Sequence, residues 1–265
     1  TRFLESSDLW TRSRDLPGID WNVQCQLNCL IDIFPAWGRE FMDELLMGQL
    51  SRFGFYLDND AYGGVDPFVL YGFVRHFKPN MVLEIGSGHS SRVIAAALSQ
   101  KSQGNLISVD PYPSDQLRSD LHGFAHTIIE QRVEQLPFDL FDQLNSGDVL
   151  FIDSTHTVRS GGDVNYLFLE VLPRLRPGVI VHLHDIFLPE EYPREWLLDK
   201  HIFWAEQYLL HAFLLFNSSF EILMANNFLG KMYPDPLKEC FPGAMWWGGG
   251  SFWMQRKRLD TEDTS

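Results

Sequence analysis

The sequence is poor in cysteine and in positive charge. Its 265 residues contain three cysteines, Cys25, Cys29 and Cys240. A low and odd number of thiols is typical of proteins from reducing compartments and argues against a disulfide-bonded secreted domain. We therefore expect free thiols and a cytoplasmic protein. Cys25 and Cys29 lie one helical turn apart, which would suit a metal pair, but a free cysteine more often packs as a small apolar side chain.

Lysine and arginine together number 21 against 35 aspartates and glutamates, and the formal net charge is −14. Binding to nucleic acid draws most of its strength from Lys and Arg, so a nucleic-acid partner is disfavoured. No stretch approaches the roughly 20 apolar residues that a membrane-spanning helix needs, so we expect no membrane partner. The apolar fraction of 45% is enough for a packed core. The expected partner is a small molecule, and the oligomeric state, a homo-oligomer included, stays open.

Short apolar runs alternate with helical patterns through the middle of the chain. Five continuously apolar runs predict buried parallel strands, at 81–85, 106–109, 127–130, 149–152 and 179–183. Two later strands, at 220–224 and 251–255, follow an aromatic-rich helix predicted over 195–216. The pattern predicts an α/β fold of the Rossmann-like, doubly wound type, with a mostly parallel seven-stranded sheet that ends in an antiparallel strand pair.

The segment before this core has a helical and irregular pattern. No internal repeat, low-complexity tract or linker interrupts the chain. We therefore predict a single domain over 1–265, with an N-terminal helical cap at 1–65, a Rossmann-like core at 66–256 and a polar tail at 257–265.

The first predicted strand runs into a glycine turn. Gly86 and Gly88 let the backbone pass close to a ligand, and the next helix offers free N–H groups at its start. Glu84, two residues before Gly86, would repel a pyrophosphate but suits a ligand with an ammonium group. Asp110 ends the second strand, 22 residues after Gly88, where a carboxylate can hold both ribose hydroxyls. A nucleoside that carries an ammonium group, such as S-adenosylmethionine, fits both carboxylates.

These residues resemble the cofactor-binding loop of the class I methyltransferases. The Glu/Asp-x-Gly-x-Gly-x-Gly loop of that family is matched by Glu84, Gly86 and Gly88, with Ser90 in place of the third glycine, and the acidic end of its second strand is matched by Asp110. The resemblance implies that Glu84 acts on the methionyl end of S-adenosylmethionine and Asp110 on its ribose. It also implies an adenine contact after the third strand. The implied cofactor-binding residues are Glu84, Gly86, Ser87, Gly88, Ser90, Asp110, Val133 and Asp153.

A second group of polar residues follows the fourth and fifth predicted strands. The fourth strand ends in Asp153, with His156 three residues later, and the fifth ends in His184 and Asp185. Ligands of open parallel sheets bind beyond the carboxyl ends of the strands, and neighbouring strands lie roughly 5 Å apart. We therefore expect these four side chains to converge beside the methyl donor. Two carboxylates with one or two imidazoles are typical of a divalent-metal site.

This arrangement resembles the metal-dependent small-molecule O-methyltransferases, both catechol-type and macrolide-sugar-type. The resemblance implies a divalent ion on Asp153, His184 and Asp185, with His184 in the place of an oxygen ligand, and catalysis by Asp153 with His156 as general base. The candidate ions are Mg, Mn or Fe, and an imidazole ligand favours Mn, Fe or Zn more than Mg. The expected reaction is methyl transfer to a hydroxyl of a small molecule, because the ion lowers the pKa of the hydroxyl and a histidine can accept its proton.

Three other functions stay open. A metal-free N- or C-methyltransferase would keep Glu84 and Asp110 and leave the strand-end aspartates as helix caps. A nicotinamide-dependent oxidoreductase would share the glycine turn, although Glu84 and Ser91 depart from its fingerprint. A non-catalytic nucleoside-binding scaffold would have no need for His156.

Overall fold

A seven-stranded sheet lies at the centre of the protein in the computed structural model, which describes residues 2–12, 14–100 and 104–258. The strands are short, at four to six residues each. In chain order they are β1 (Met81–Ile85), β2 (Asn105–Val109), β3 (His126–Ile129), β4 (Val149–Ile152), β5 (Ile180–Leu183), β6 (Phe220–Ala225) and β7 (Phe252–Arg256).

The strand order across the sheet is β3-β2-β1-β4-β5-β7-β6. The first five strands are parallel, and β7 lies between β5 and β6 and is antiparallel to both. The predicted fold class is confirmed. Because the order reverses between β1 and β4, the carboxyl ends of these two strands flank a crevice in which ligands of such sheets bind.

Helices surround the sheet and fill the segment before it. Strands β1, β4 and β5 are buried along their whole length, as in parallel sheets that are covered on both faces. The α-helices are α1 (Arg2–Glu5), α2 (Val23–Asn28), α3 (Phe34–Leu46), α4 (Gln49–Arg52), α5 (Asp66–Phe77), α6 (His89–Ser99), α7 (Asp115–Asp120), α8 (Asp163–Tyr166), α9 (Arg194–Leu198), α10 (Glu206–Leu214), α11 (Asn226–Met232) and α12 (Pro234–Cys240). Shorter 3₁₀ or π turns lie at Cys29–Ile33, Val133–Gln135, Phe138–Gln143, Leu167–Val171 and Leu172–Arg174.

The N-terminal helices pack against α5 through aromatic rings. The centroid of the Phe34 ring lies 4.9 Å from that of Phe73, and the centroid of the Phe41 ring lies 4.5 Å from that of Phe68. These rings belong to the same buried apolar cluster as the strands. The polar tail predicted at 257–265 falls outside the described residues from 259 onward.

Two structural findings, on the cysteine thiols and on the length of the helices, relate to expectations drawn from the composition. Cys25, Cys29 and Cys240 are free thiols, as predicted. Within the described ranges, no helix has both the length and the apolar character needed to cross a bilayer.

The single long helix predicted over 195–216 is wrong, because the structure has two helices there, α9 and α10, separated by non-helical chain. His201 has a φ of 54°, a left-handed conformation through which a right-handed helix does not continue. At the start of α10 the N–H groups of Ala205 and Glu206 donate to the carbonyl oxygen of His156, at 2.8 and 3.2 Å. The non-helical chain before α10 thus bonds with the loop after β4. The pattern of apolar residues in the sequence does not predict this contact.

Candidate active site

A cavity of about 420 Å³ opens beyond the carboxyl ends of β1, β2 and β4. Pockets for small molecules typically enclose roughly 300–1,000 Å³, so the cavity is large enough for a nucleoside. Five of the predicted cofactor-binding residues line it: Gly86, Ser87, Asp110, Val133 and Asp153. The other three, Glu84, Gly88 and Ser90, are not part of its wall.

The loop between β1 and α6 is shaped by close contact with the end of β4. Gly86 has a φ of 86°, which favours glycine, and a Cβ at this position would overlap the carbonyl oxygen of Asp153. The N–H of Asp153 donates to the carbonyl of Ile85 at 2.9 Å. No atom of the described residues lies within 4 Å of the position that a Cβ on Gly88 would take. The first glycine is therefore required by the protein itself, whereas the second leaves space for another molecule to approach.

Asp110 is held at the wall of the cavity by two hydrogen bonds. Its Oδ2 accepts from the Ser87 hydroxyl at 2.6 Å, and its Oδ1 accepts from the N–H of Tyr112 at 2.8 Å. These bonds join the end of β2 to the glycine loop. The carboxylate is thus fixed at the position where the sequence predicts contact with a ribose.

Glu84 is fully buried beneath the glycine loop. Its carboxylate accepts hydrogen bonds of 2.6–2.7 Å from the hydroxyls of Ser90, Ser91 and Ser108. Burial raises the pKa of Glu84 to about 7, against the opposing effect of these three donors. The Ser91 hydroxyl also accepts from the N–H of Gly88 at 2.9 Å. Glu84 therefore holds the loop and the start of α6 from below.

The polar residues after β4 and β5 converge at the same edge of the sheet. His156 Nε2 lies 3.2 Å from Asp153 Oδ1 and 3.6 Å from Asp185 Oδ2. His184 Nδ1 lies 3.7 and 3.6 Å from the same two oxygens. In the described part of the chain, Asp153, His156 and Asp185 form a group whose ligand atoms all lie within 4.8 Å of one another. Both imidazoles thus face one pair of carboxylates, and Asp153 belongs to this cluster and to the cavity wall.

Burial and opposite charge set the protonation of the cluster. Burial alone would lower the pKa of His156, but hydrogen bonds to Asp153 and Glu206 outweigh it and raise the pKa to about 10. Burial likewise opposes the charged form of His184, yet the Asp185 and Asp153 carboxylates raise its pKa well above the usual value. The pKa of Asp185 is raised by burial, whereas that of Asp153 is lowered because the two imidazoles outweigh its burial. Without a bound cation, the imidazoles carry the positive charge that offsets the carboxylates.

Each imidazole is backed by a buried carboxylate on its other side. His156 Nδ1 lies 2.7 Å from Oε2 of Glu206, and His184 Nε2 lies 3.5 Å from Oδ2 of Asp66. A carboxylate behind a histidine fixes the ring orientation and makes the facing nitrogen more basic. His156 and Asp185 also have φ values of 56°, which non-glycine residues adopt mainly where the surroundings impose it.

The sequence patterns did not identify Asp66 and Glu206 as members of the site. Asp66 precedes Pro67, a pair typical of a helix start, and Glu206 lies inside the helix predicted over 195–216. The one available sign was an acidic residue within an otherwise apolar and aromatic stretch, which is unusual for a buried helix unless the acid has a partner.

Comparison with known proteins adds a family match. Residues 83–186 match the model of a family described as a methyltransferase domain. An uncharacterized protein of Archaeoglobus fulgidus is 32% identical over 94 residues, which are 34% of this chain and 42% of the relative's own length.

Solved structures similar to this chain include two methyltransferases. The O-methyltransferase TomG from Streptomyces achromogenes, involved in tomaymycin synthesis, is 16% identical, with 80% of this chain and 89% of that chain covered and a TM-score of 0.49. The methyltransferase PaMTH1 of Podospora anserina is 17% identical, with 82% and 88% covered and a TM-score of 0.48.

The matched segment contains the glycine loop, the cavity-lining ends of β1, β2 and β4, and the cluster after β4 and β5. Strands β2 to β5 lie inside the matched segment, whereas β6 and β7 lie after it. Over residues 83–186, which include the cavity-lining strand ends and the cluster, the chain is therefore similar to a methyltransferase domain.

Proposed function

We propose that this protein transfers the methyl group of S-adenosylmethionine to a hydroxyl of a small molecule, with a divalent ion and His156 assisting at the acceptor. The observation that carries this proposal is the position of Asp153. Its side chain belongs both to the wall of the donor-sized cavity and to the cluster of carboxylates and imidazoles. A donor in the cavity and an acceptor at the cluster would therefore be neighbours, which in-line methyl transfer requires.

The donor is assigned to the cavity between β1, β2 and β4. Asp110 is the proposed ribose contact and Val133 the proposed adenine contact, and both line the cavity. Glu84 remains assigned to donor binding, but since its carboxylate is enclosed by three hydroxyls, we propose that it acts by holding the glycine loop. Ser90 donates to Glu84, and the N–H of Gly88 donates to the Ser91 hydroxyl, so both residues belong to the hydrogen-bond network that holds the loop.

The metal is assigned to Asp153, His184 and Asp185, and the donor set fits an ion. Ligand atoms held roughly 2.1 Å from one ion at tetrahedral or octahedral angles are about 3.0–3.4 Å apart. His184 Nδ1 lies 3.7 and 3.6 Å from the Asp153 and Asp185 oxygens, so a contraction of a few tenths of an ångström would bring these three ligand atoms around an ion. When bound, a divalent ion would lower the pKa of an acceptor hydroxyl and of neighbouring imidazolium groups.

His156 is assigned as the base that receives the acceptor's proton. Its Nε2 faces Asp153 and Asp185 at the edge of the donor cavity. Its Nδ1 is bonded to Oε2 of Glu206, so the ring cannot turn away without losing this buried hydrogen bond. The side chain is 5% exposed, which keeps bulk water from competing for the proton.

A nicotinamide-dependent oxidoreductase is not favoured, because the antiparallel β7 inserted beside β5 departs from the strand order of dinucleotide-binding folds. A metal-free N- or C-methyltransferase would share the cavity. It would not need two imidazoles facing two carboxylates, and metal dependence separates it from the proposed function.

The test is calorimetric titration of the protein with S-adenosylmethionine, with and without a chelator, together with elemental measurement of bound metal. We expect donor binding by the wild-type protein and about one divalent ion per chain. Asp153→Ala should lose the ion, because it removes an oxygen that faces both imidazoles.

Asp142→Ala is the matched control, since Asp142 is exposed on a 3₁₀ turn away from the cluster. This variant should keep both the donor and the ion. Donor binding with no bound metal in any buffer would remove the ion from the mechanism. Folded wild-type protein that fails to bind the donor would overturn the proposed function altogether.

A further inference from the structure

The loop between α12 and β7 presents three neighbouring large apolar side chains at the surface. Met245 is 48% exposed, Trp246 45% and Trp247 39%. Isolated apolar residues are common on protein surfaces, whereas a contiguous group of them often marks the place where a ligand or a partner binds. The loop is therefore a candidate binding surface.

One face of the Trp246 ring is covered by backbone. A Cβ on Gly64 would overlap the indole nitrogen Nε1, and it would lie almost as close, at 2.6 and 2.7 Å, to the two ring carbons bonded to that nitrogen. A position beyond the ring edge would be clearly farther from these carbons, so the Gly64 position lies over the face of the ring. A Cβ on Gly63 would lie 2.5 Å from Cη2 of the same ring. Two successive glycines thus allow the chain to lie flat against the indole.

The opposite face of the Trp246 ring is open. Almost half of the residue stays exposed although Gly63 and Gly64 cover one side of its ring. The backbone behind the ring also limits its movement, because the indole cannot shift toward the two glycines. A fixed indole with one open face is suited to stacking against a flat, unsaturated ring.

Both segments that hold the Trp246 ring continue into the cluster of carboxylates and imidazoles. Tyr62, directly before the two glycines, lies beside His184, with the ring centroids 5.0 Å apart. Gly250, four residues after Trp246, lies against Asp185, since a Cβ on Gly250 would be 2.8 Å from the Asp185 Cα. The loop that carries the open ring face is therefore continuous with the place where the acceptor hydroxyl is proposed to bind.

We propose that Trp246 is a specificity-determining residue whose open face stacks on a flat, unsaturated ring of the acceptor. This inference rests on the proposed function and narrows its substrate class to phenols and related planar hydroxy compounds, in preference to sugars and polyols. The side chains of Met245 and Trp247 extend the apolar surface beside Trp246. A polyol would need hydrogen-bond partners for each hydroxyl that it buries there, and apolar side chains do not supply them.

The experiment is calorimetric titration with 2-naphthol and with decahydro-2-naphthol, on protein saturated with S-adenosylhomocysteine. The two probes share a bicyclic carbon skeleton and a hydroxyl, but only 2-naphthol is flat. A chelator is present throughout, so that the greater acidity of the naphthol hydroxyl does not contribute through a bound metal. The test variants are Trp246→Ala, Trp246→Phe and Gly63→Ala, of which the last keeps the tryptophan but displaces its ring.

Trp247→Ala is the matched control. Trp247 lies in the same loop and is similarly exposed, but its ring is occupied on other sides. Lys238 Nζ lies 5.7 Å from the centroid of the Trp247 ring, and Nε1 of Trp247 donates to the carbonyl of Phe241 at 3.3 Å. Its removal tests whether the loop as a whole, rather than the open face of Trp246, accounts for binding.

We expect the wild-type protein to bind 2-naphthol at least about threefold more tightly than the saturated alcohol, because stacking adds to the effect of the buried area. Trp246→Ala and Gly63→Ala should weaken 2-naphthol binding about three- to tenfold and remove the preference, whereas Trp246→Phe and the control should keep it. The affinity for S-adenosylmethionine should change by less than about twofold in every variant, since Trp246 does not line the donor cavity. A purely structural role for Trp246 would weaken the binding of both probes equally.

The inference would be overturned by wild-type protein that binds the two probes equally or does not bind 2-naphthol, by an undiminished preference in folded Trp246→Ala, or by an equal loss in Trp247→Ala. If Trp246→Ala does not fold, Gly63→Ala decides, because Gly63 has no positive φ and only the ring must shift. Preferential binding of 2-naphthol by protein that binds no S-adenosylmethionine would refute the proposed function and leave the flat-ring site intact, so the two failures are distinguishable.

Discussion

At the scale of single residues, the proposed donor site depends on Gly86 more than on Gly88. Gly86 combines a φ of 86° with a backbone oxygen where its Cβ would be, whereas among the described residues none lies within 4 Å of a Cβ on Gly88. The sequence motif does not distinguish the two glycines, but their surroundings in the structure differ. Gly86 allows the ends of β1 and β4 to lie close together, whereas a Cβ at position 88 would not be constrained by a neighbouring described residue.

Gly86→Ala should lower the free energy of unfolding and abolish donor binding. The positive φ costs an alanine about 1–3 kcal/mol, and overlap with the Asp153 carbonyl adds roughly another 1–3 kcal/mol. Gly123→Ala is the matched control, because Gly123 has the same φ of 86° but, in the part of the chain that the structure describes, no atom within 4 Å of its Cβ position. Urea unfolding and donor titration of both variants make the comparison. Equal losses in the two would show that the contact with Asp153 is unimportant.

At the scale of elements, Asp66 joins the start of α5 to the strand pair at the sheet edge. Its carboxylate accepts from the N–H groups of Gly250 and Ser251, at 2.9 and 3.2 Å, and from the side-chain amide of Asn226 at 2.7 Å. These donors precede β7 and begin α11. The same carboxylate lies behind His184, so the packing of three elements and the orientation of one imidazole depend on it.

Asp66→Ala should destabilise the protein by about 3–5 kcal/mol, because it leaves three buried donors unpaired at roughly 1–3 kcal/mol each before relaxation. Asp66→Asn keeps one acceptor oxygen and the shape of the side chain, and should lose less than half as much. Chemical denaturation followed by circular dichroism measures both. A loss of under 1 kcal/mol in the alanine variant would contradict this account of the junction.

Strands were predicted accurately where a short run of neighbouring residues defines them. The bounds of β1 and β4 agree with the predicted runs, because continuous apolar residues between breakers define a buried parallel strand. The convergence of Asp153, His156, His184 and Asp185 also followed from the rule that parallel strands end at one edge. Contacts between distant parts of the chain were not predictable. The break between α9 and α10 exists because Ala205 and Glu206 bond to His156, and no helical periodicity encodes such a bond.

At the scale of the whole molecule, stability should depend on pH through Glu84, which lies at the centre of the sheet between β2 and β4. Its pKa is about 7 in the folded chain, compared with 4.5 for an ordinary glutamate. The folded state therefore favours the protonated acid. As pH rises from 4.5 to 7, the unfolded chain releases the proton first, and the free energy of unfolding falls by on the order of 3 kcal/mol on account of this group.

Glu84→Gln cannot titrate and should lack this contribution. The difference in unfolding free energy between Glu84→Gln and wild type should shift in favour of the variant between pH 4.5 and 7 and stay constant above it. Glu239→Gln, which alters an exposed acid on α12, should parallel the wild type over the same range. A difference that does not vary with pH would mean that Glu84 has an ordinary pKa in the folded protein.

The carboxylates behind the two imidazoles limit what can be transplanted from this protein. The segment that matches the methyltransferase domain family spans residues 83–186. It contains His156 and His184 but neither Asp66 nor Glu206. A chimera that moved this segment into another methyltransferase of the same fold would inherit the motif without the residues that orient it. An engineer who wished to transfer the chemistry would have to bring the starts of α5 and α10 as well.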